Sequence, residues 1–526
     1  MDTMRQISII LLTTLFPLCL CAQEELTVVR GDCMPAPAEL SSINRAAQNS
    51  RRLPAVRDVW DANRIYRQLV VLVNFEDTVF VSEDPKAYYE RVFNETGYNG
   101  GVGVGCVADY YRDQSYGLCN LQFDIFGPVT VAHKAQPIEN PTEKTRNYGQ
   151  AALREALLQV VESNQEMDFS VYDWDGDGKV EQVIFVYAGW PGNSGTKTYG
   201  HIWPNTSAFS TVTAKDGTKM SNYTASGEKW PTKSVYYCGI GTICHEFTHS
   251  LGLPDIYPTA NNSAYSVCDE WDLMDGGNFT NLGWCPPNLT PQEKMLLGWL
   301  TPIDLTEPTI ITDLKPSAEG GEVYRIMHSD SEYLLLENRQ QRGWDLGAPG
   351  KGLVIYHVDY DAAVWSGNRV NNDPDRLRFD LVHADNMDYS EWDFYIDEKG
   401  LGRYKKNIYL NNRHLSTSPY PWTTDSTDFV NSELTETSVP APKMHEPNLD
   451  GEMELNKPIT NIQMSEEGLV SFNFMVDAPS GIKDIQVSGF KAQEYYDLQG
   501  RCVKTPQRGN LYIVRTPQGT RKHLLR

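Results

Sequence analysis

The sequence predicts a mixed α/β (α+β) lobe, then an all-β sandwich-like domain, then a small β-rich C-terminal tail. Three observations predict this order. Leu69-Val70-Val71-Leu72-Val73 is an unbroken apolar run, rich in β-branched residues, as in a strand buried on both faces. Residues 148–163 then place Ala152, Ala156, Leu157, Val160 and Val161 on one helical face, and Val183-Ile184-Phe185-Val186-Tyr187 reads as another buried strand. Beyond Trp299 the pattern is strand and turn, with Tyr333-Leu334-Leu335-Leu336-Glu337 and Leu353-Val354-Ile355-Tyr356-His357-Val358 the clearest strands.

Between these elements, Gln122-Phe123-Asp124-Ile125-Phe126 alternates and stops at Gly127-Pro128, a strand and its terminator. At the N-terminus, Arg5 precedes an apolar run from Ile7 to Leu20, followed by Cys21-Ala22-Gln23. This is the pattern of a secretory signal peptide cut after Ala22, with a lipobox at Cys21 as the rival reading. No later segment reaches 18 apolar residues, so no transmembrane span is expected in the mature chain. The expected organisation is a leader over 1–22, a pro-segment or linker over 23–64, the α/β lobe over 65–300, the sandwich over 301–478 and the tail over 479–526.

The 526 residues carry 46 Lys+Arg against 69 Asp+Glu, a net charge of −23. Such a field repels phosphate, which argues against nucleic acid and anionic membrane surfaces as partners. Removal of the leader would leave eight cysteines, too many for connectivity to be read from sequence. Export permits disulfides, and Cys106–Cys119 and Cys268–Cys285 are the local pairs to consider first.

The chemistry concentrates in His245-Glu246-Phe247-Thr248-His249-Ser250-Leu251-Gly252-Leu253-Pro254-Asp255. Residues four apart share a helix face, so His245 and His249 can hold one ion between their imidazoles. Glu246 projects beside them and suits a general base acting on a zinc-activated water. Gly252 can take the left-handed conformation that ends a helix, and Pro254 discourages its continuation. The chain can then turn back and offer Asp255 as a third ligand, leaving a coordination site for water and substrate.

This segment resembles that of the secreted immune-inhibitor-A-like metallopeptidases, relatives of the metzincins, and the resemblance implies a zincin-type catalytic domain. Metzincins usually carry a third His where this chain has Asp255. The resemblance also implies a Met-containing turn below the metal, for which Trp271-Asp272-Leu273-Met274-Asp275-Gly276-Gly277 is the candidate, with Met274 a packing base. Asp109-Tyr110-Tyr111-Arg112-Asp113-Gln114-Ser115-Tyr116-Gly117 is similar to the family's upstream segment, and Tyr333 to Asp345 to its downstream β region. The similarity covers about residues 65–390, and more weakly to about 476. Thermolysin-like enzymes take their third ligand from a later Glu, so Glu270, 21 residues after His249, is the competing candidate.

A second ion is expected at Asp173-Trp174-Asp175-Gly176-Asp177-Gly178-Lys179-Val180-Glu181. Acidic oxygens at alternate positions and a turn at Gly178 make the first half of an EF-hand-type loop, with Lys179 offering a backbone carbonyl and Glu181 at the ninth position. Ile184 occupies the twelfth, so the loop is not an EF-hand. A structural Ca2+ bound by Asp173, Asp175, Asp177, Lys179 and Glu181 follows, and a similar loop occurs in the resembled family.

Weaker signals are Cys33 as a zinc-capping thiolate, Arg51-Arg52 as a processing site and His201-Ile202-Trp203-Pro204 as cleft lining. The tail, with Tyr495-Tyr496-Asp497-Leu498-Gln499-Gly500-Arg501 and Gly509-Asn510-Leu511-Tyr512-Ile513-Val514, resembles the C-terminal sorting domains of Bacteroidetes type IX secretion. That implies export, a secretion-machinery partner and an extracellular or surface-attached location. The functional expectation is a secreted zinc endopeptidase acting on proteins or peptides. The alternative is a secreted adhesin or glycan-binding protein with a degenerate peptidase lobe, since 12 Trp and 28 Tyr can furnish aromatic binding surfaces.

Overall fold

The computed structural model describes residues 60–135, 148–192, 202–230, 237–260, 267–386, 413–423 and 430–476, with the strand backbones 394–396, 402–404, 494–496, 511–516 and 519–524. The leader, Cys33, Arg51-Arg52, His201, Cys502 and the expected linker near 478–481 lie outside the described residues. Of the tail, the three described strands form a small antiparallel sheet.

A mixed α/β region comes first. Its five-stranded sheet holds β1 (Ile65–Asn74), β2 (Asn120–Thr130), β3 (Val183–Tyr187), β4 (Asn205–Thr213) and β5 (Lys219–Gly227), in the order β2-β1-β3-β5-β4. All neighbours are parallel except β4, an antiparallel edge strand. β1 and β3 are central and buried on both faces, which explains their unbroken apolar runs. One face packs on α3 (Tyr148–Ser163) through Leu69, Val71, Ala156, Leu157 and Phe185. The other face meets α1 (Pro85–Asn94), α2 (Val107–Gln114) and α4 (Gly241–Ser250). Trp60 joins this packing from just ahead of β1, donating its indole N–H to Leu297 O at 2.9 Å.

After α5 (Pro291–Leu296) the chain builds the sandwich. The strands β6 (Ile303–Asp304), β8 (Tyr324–Met327), β9 (Glu332–Arg339), β10 (Gly352–Asp359) and β11 (Phe379–Leu381) make one sheet. The partner sheet is formed by β7 (Thr309–Leu314), β12 (Ile459–Met464) and β13 (Val470–Phe474). Every residue of β9 and β10 is buried, and the alternation of a strand divides them between two cores. Leu334, Leu336, Leu353 and Ile355 face the partner sheet. Tyr333, Leu335, Val354, Tyr356 and Val358 belong instead to the core that contains Phe247 and Met274 of the α/β region. One hydrophobic core therefore runs through both regions.

The cysteine pairing suggested by local spacing is not formed: the six described cysteines are free thiols. Cys106 Sγ instead caps α2 by accepting the Asp109 N–H at 3.4 Å, and Cys119 is buried among apolar side chains. Cys285 Sγ lies 3.3 Å from Trp344 O. Burial raises the pKa of the Cys106 thiol to about 12 and that of Cys285 to about 11, which keeps both protonated.

A buried ion cluster fixes the outer edge of the sandwich. His357 on β10 lies 3.1 Å from Asp380 and 2.8 Å from Glu332. His445 lies 3.0 Å from Asp359, which also holds Arg376 and Arg378, each at 2.8 Å. Burial opposes charge on His357, but Asp380 and Glu332 more than offset it and raise its pKa to about 9. Because the folded pKa exceeds the ordinary value of about 6.5, this stabilisation is complete below about pH 6.5 and is lost as pH rises through about 9. Thermal melts from about pH 6.5 to pH 9.5 should show a falling midpoint, and His357→Gln should flatten the slope. The loss is on the order of 3 kcal/mol.

Candidate metal centre

Helix α4 carries His245, Glu246 and His249, all buried. It starts at Gly241, where an added Cβ would sit 2.1 Å from the Asn278 carbonyl oxygen, so only glycine lets the helix approach the 277–283 turn this closely. The helix ends where the sequence requires. Gly252 has φ +103, the chain reverses, and Asp255 comes back under the two imidazoles.

Asp255 Oδ1 lies 3.3 Å from His245 Nε2 and 3.0 Å from His249 Nε2. Zinc bonds of about 2.0–2.1 Å place tetrahedral ligands about 3.3–3.4 Å apart, so these edges are close to those of a zinc site. The tautomers are fixed from behind. His245 Nδ1 donates to Leu273 O at 2.7 Å and His249 Nδ1 to Leu253 O at 2.8 Å. In the neutral rings that a metal requires, each Nε2 is then a lone pair. Asp255 Oδ1 is buried without a hydrogen-bond donor, so three lone pairs converge on one point. This donor set fits a divalent cation of zinc type. Burial disfavours charge on His245, yet Asp255 and Glu246 raise its pKa to about 9, and the two imidazoles hold Asp255 well below the carboxylate range despite its burial, so a proton on Nε2 competes with a cation for this point.

Glu246 is tied to the sheet edge. Thr206 on β4 has its hydroxyl 2.5 Å from the Glu246 carbonyl oxygen and 3.1 Å from Oε2. Met274 is fully buried, and its neighbour Leu273 supplies the carbonyl that orients His245. The Met274 N–H donates to Asp272 Oδ1 at 2.6 Å, and its carbonyl accepts the Ile256 N–H at 2.9 Å. The turn is braced from β9 by Arg339, whose Nη1 donates to Trp271 O at 2.6 Å and whose fork engages Asp345. Glu270 occupies a short 3-10 turn, Asp269–Trp271, and is not part of the His245–His249–Asp255 group.

The acidic loop is drawn together in part. Carboxylate oxygens of Asp173, Asp175 and Glu181 lie within 4.8 Å of one another. Asp177 turns instead to the Lys179 ammonium at 2.8 Å. Asp173 accepts from the N–H groups of Gly176 and Gly178, each at 2.7 Å, and both glycines have positive φ. Burial pushes the Glu181 carboxyl up to about 7.

The sequence reading missed Thr206 and three asparagines of the sandwich region, Asn368, Asn371 and Asn372, which contact segment 255–260. Their only sequence signal is an Asn-rich turn more than a hundred residues downstream, which reads as an ordinary loop.

Gly241→Ala should lower the thermal midpoint and cost about 1–3 kcal/mol, because backbone rather than a movable side chain meets the new methyl. Chemical denaturation of the variant against wild type measures this.

Compared with known proteins, residues 58–297 match the family model described as immune inhibitor A peptidase M6, catalytic domain. The match places this stretch, just under half of the chain, in the immune inhibitor A, metzincin-like peptidase family. Immune inhibitor A of Bacillus thuringiensis subsp. alesti is 25% identical over 272 residues, covering 43% of this chain and 38% of that protein. Pre-pro-metalloprotease PrtV of Vibrio cholerae serotype O1 (strain M66-2) is 22% identical over 243 residues, covering 42% of this chain and 26% of that protein. The chain thus spans well under half the length of these curated relatives.

Proposed function

Starting from an M6-type peptidase domain over residues 58–297, we propose that this chain is a secreted zinc-dependent endopeptidase that hydrolyses peptide bonds in protein substrates. The observation that carries the reading is the convergence of His245 Nε2, His249 Nε2 and Asp255 Oδ1, with Glu246 on the same helix. A zinc ion held by these three residues would supply Lewis acidity, polarising the scissile carbonyl and acidifying water. Glu246 takes the proton of the attacking water and returns it to the leaving amine. The backbone hydrogen bonds to both Nδ1 atoms orient the imidazoles with Nε2 toward the metal, and Met274 is the packing base of the turn that supplies the Leu273 carbonyl. Strand β4, an antiparallel edge tied to Glu246 through Thr206, is placed to pair with an extended substrate chain.

The remaining assignments belong to the same reading. The loop of Asp173, Asp175, Asp177, Lys179 and Glu181 binds a structural Ca2+, supported by the grouping of three of its carboxylates. The catalytic lobe spans 65–300, the sandwich 301–478 and a sorting-like module 479–526, through which the secretion machinery is engaged. Extracellular location rests on the leader-like N-terminus. Among the described residues no helix is long and apolar enough to cross a membrane.

Purified protein should carry one zinc per chain and cleave a denatured protein. Glu246→Ala should retain the zinc and lose about 10²–10⁴-fold in turnover, whereas His249→Ala should lose the zinc as well. Cleavage by Glu246→Ala at the wild-type rate would sink the mechanism. Added calcium should raise the thermal midpoint of wild type by binding the folded state, and Asp173→Ala should abolish that rise.

A further inference from the structure

The third ligand is not held by its own region alone. Asn368, in the turn after α6 (Ala362–Ser366), grips Asp255 twice. Its Oδ1 accepts the Asp255 N–H at 2.6 Å, and its Nδ2 donates to Asp255 Oδ2 at 2.6 Å. One planar amide thereby fixes both the backbone and the carboxylate of a single residue. Oδ2 is satisfied and Oδ1 is left facing the two imidazole nitrogens.

The grip is itself rigid. Asn368 is buried, with φ +55, a left-handed conformation that asparagine tolerates better than most residues. Its N–H donates to Trp365 O at 3.1 Å, and Trp365 belongs to the shared core. Its carbonyl accepts from the Thr259 hydroxyl at 2.5 Å. Two neighbours extend the contact along the same segment. Asn371 Nδ2 donates to Ile256 O at 3.0 Å and to Phe379 O on β11 at 2.8 Å. Asn372 Oδ1 accepts the N–H groups of Thr259 at 2.7 Å and Ala260 at 3.0 Å.

We propose that Asn368 is a positioning residue for the metal centre: by occupying Oδ2 it makes Asp255 a one-oxygen ligand, so the sandwich region supplies part of the metal site. All three asparagines lie beyond residues 58–297, so the domain matched by the family does not complete its own ligand geometry. The inference rests on the zinc reading above. Removing a group that orients a metal ligand typically weakens metal binding 10–100-fold, the range expected here.

The test uses full-length protein with zinc alone as the probe, titrated against a chelator of known affinity. Asn368→Ala and the near-isosteric Asn368→Asp, which puts a second carboxylate against Asp255, should each weaken zinc binding 10–100-fold. Their cobalt-substituted forms should show altered ligand-field bands while near-ultraviolet circular dichroism stays native. Asn372→Ala, which loosens the same segment without touching Asp255, should remain within about threefold of wild type. Equal losses in Asn372→Ala and Asn368→Ala would show general loosening of the segment and overturn the assignment, as would wild-type affinity in both Asn368 variants. Zinc-edge X-ray absorption on the wild type needs no variant. A one-oxygen carboxylate supports the proposal, and a two-oxygen carboxylate overturns it. If wild type takes up no zinc, or His249→Ala takes it up equally well, the zinc reading itself fails and the inference with it.

Discussion

The structure depends on holding His245 Nε2, His249 Nε2 and Asp255 Oδ1 around one buried point. With both Nδ1 atoms committed to carbonyl oxygens, whatever occupies that point, proton or cation, is held by the two Nε2 atoms and the carboxylate. The Leu273 carbonyl comes from one turn, and the Leu253 carbonyl from the turn that also carries the Asp255 carboxylate. Each must be held stiffly for these atoms to keep their spacing.

The bracing comes from both sides of the molecule. Within the α/β region, the Gly241 contact seats the helix, and the Tyr111 hydroxyl reaches its Cys244 carbonyl at 2.8 Å. From the sandwich, Arg339 holds the turn that carries Leu273, and Trp344 reaches back to Asp113 at 2.9 Å. The two segments that resemble the peptidase family on either side of the zinc motif are therefore in contact: Tyr110 and Trp344 meet edge to face at 5.0 Å. Strands β9 and β10 make this possible because their side chains serve two cores at once.

Much of this was legible in the sequence. Unbroken apolar runs located β1, β3, β9 and β10, a 3.6-residue period located α3, and the spacing of His245, His249 and Gly252 set the local geometry of the centre. The return of Asp255 could be read because Gly252 and Pro254 leave the chain few other courses. What could not be read is whatever depends on distant packing. Asn368 and Asp255 are 113 residues apart, and an asparagine in a polar turn carries no mark of what it will face. Cys106 and Cys119 were misjudged for a related reason: nearness in sequence suggested a bridge, whereas one thiol serves a helix cap and the other fills a core.

The double duty of β9 and β10 has a consequence for how such a chain can be cut or recombined. Severing it near residue 300 would strip cover from Tyr110 and Trp271, against which Trp344 and Arg339 pack, and open part of the shared core to water. A fragment ending there would be a clotting hazard instead of a small enzyme. A gene rearrangement that moves the peptidase stretch to a new setting would keep that part of the core covered only if the following sheet moved with it.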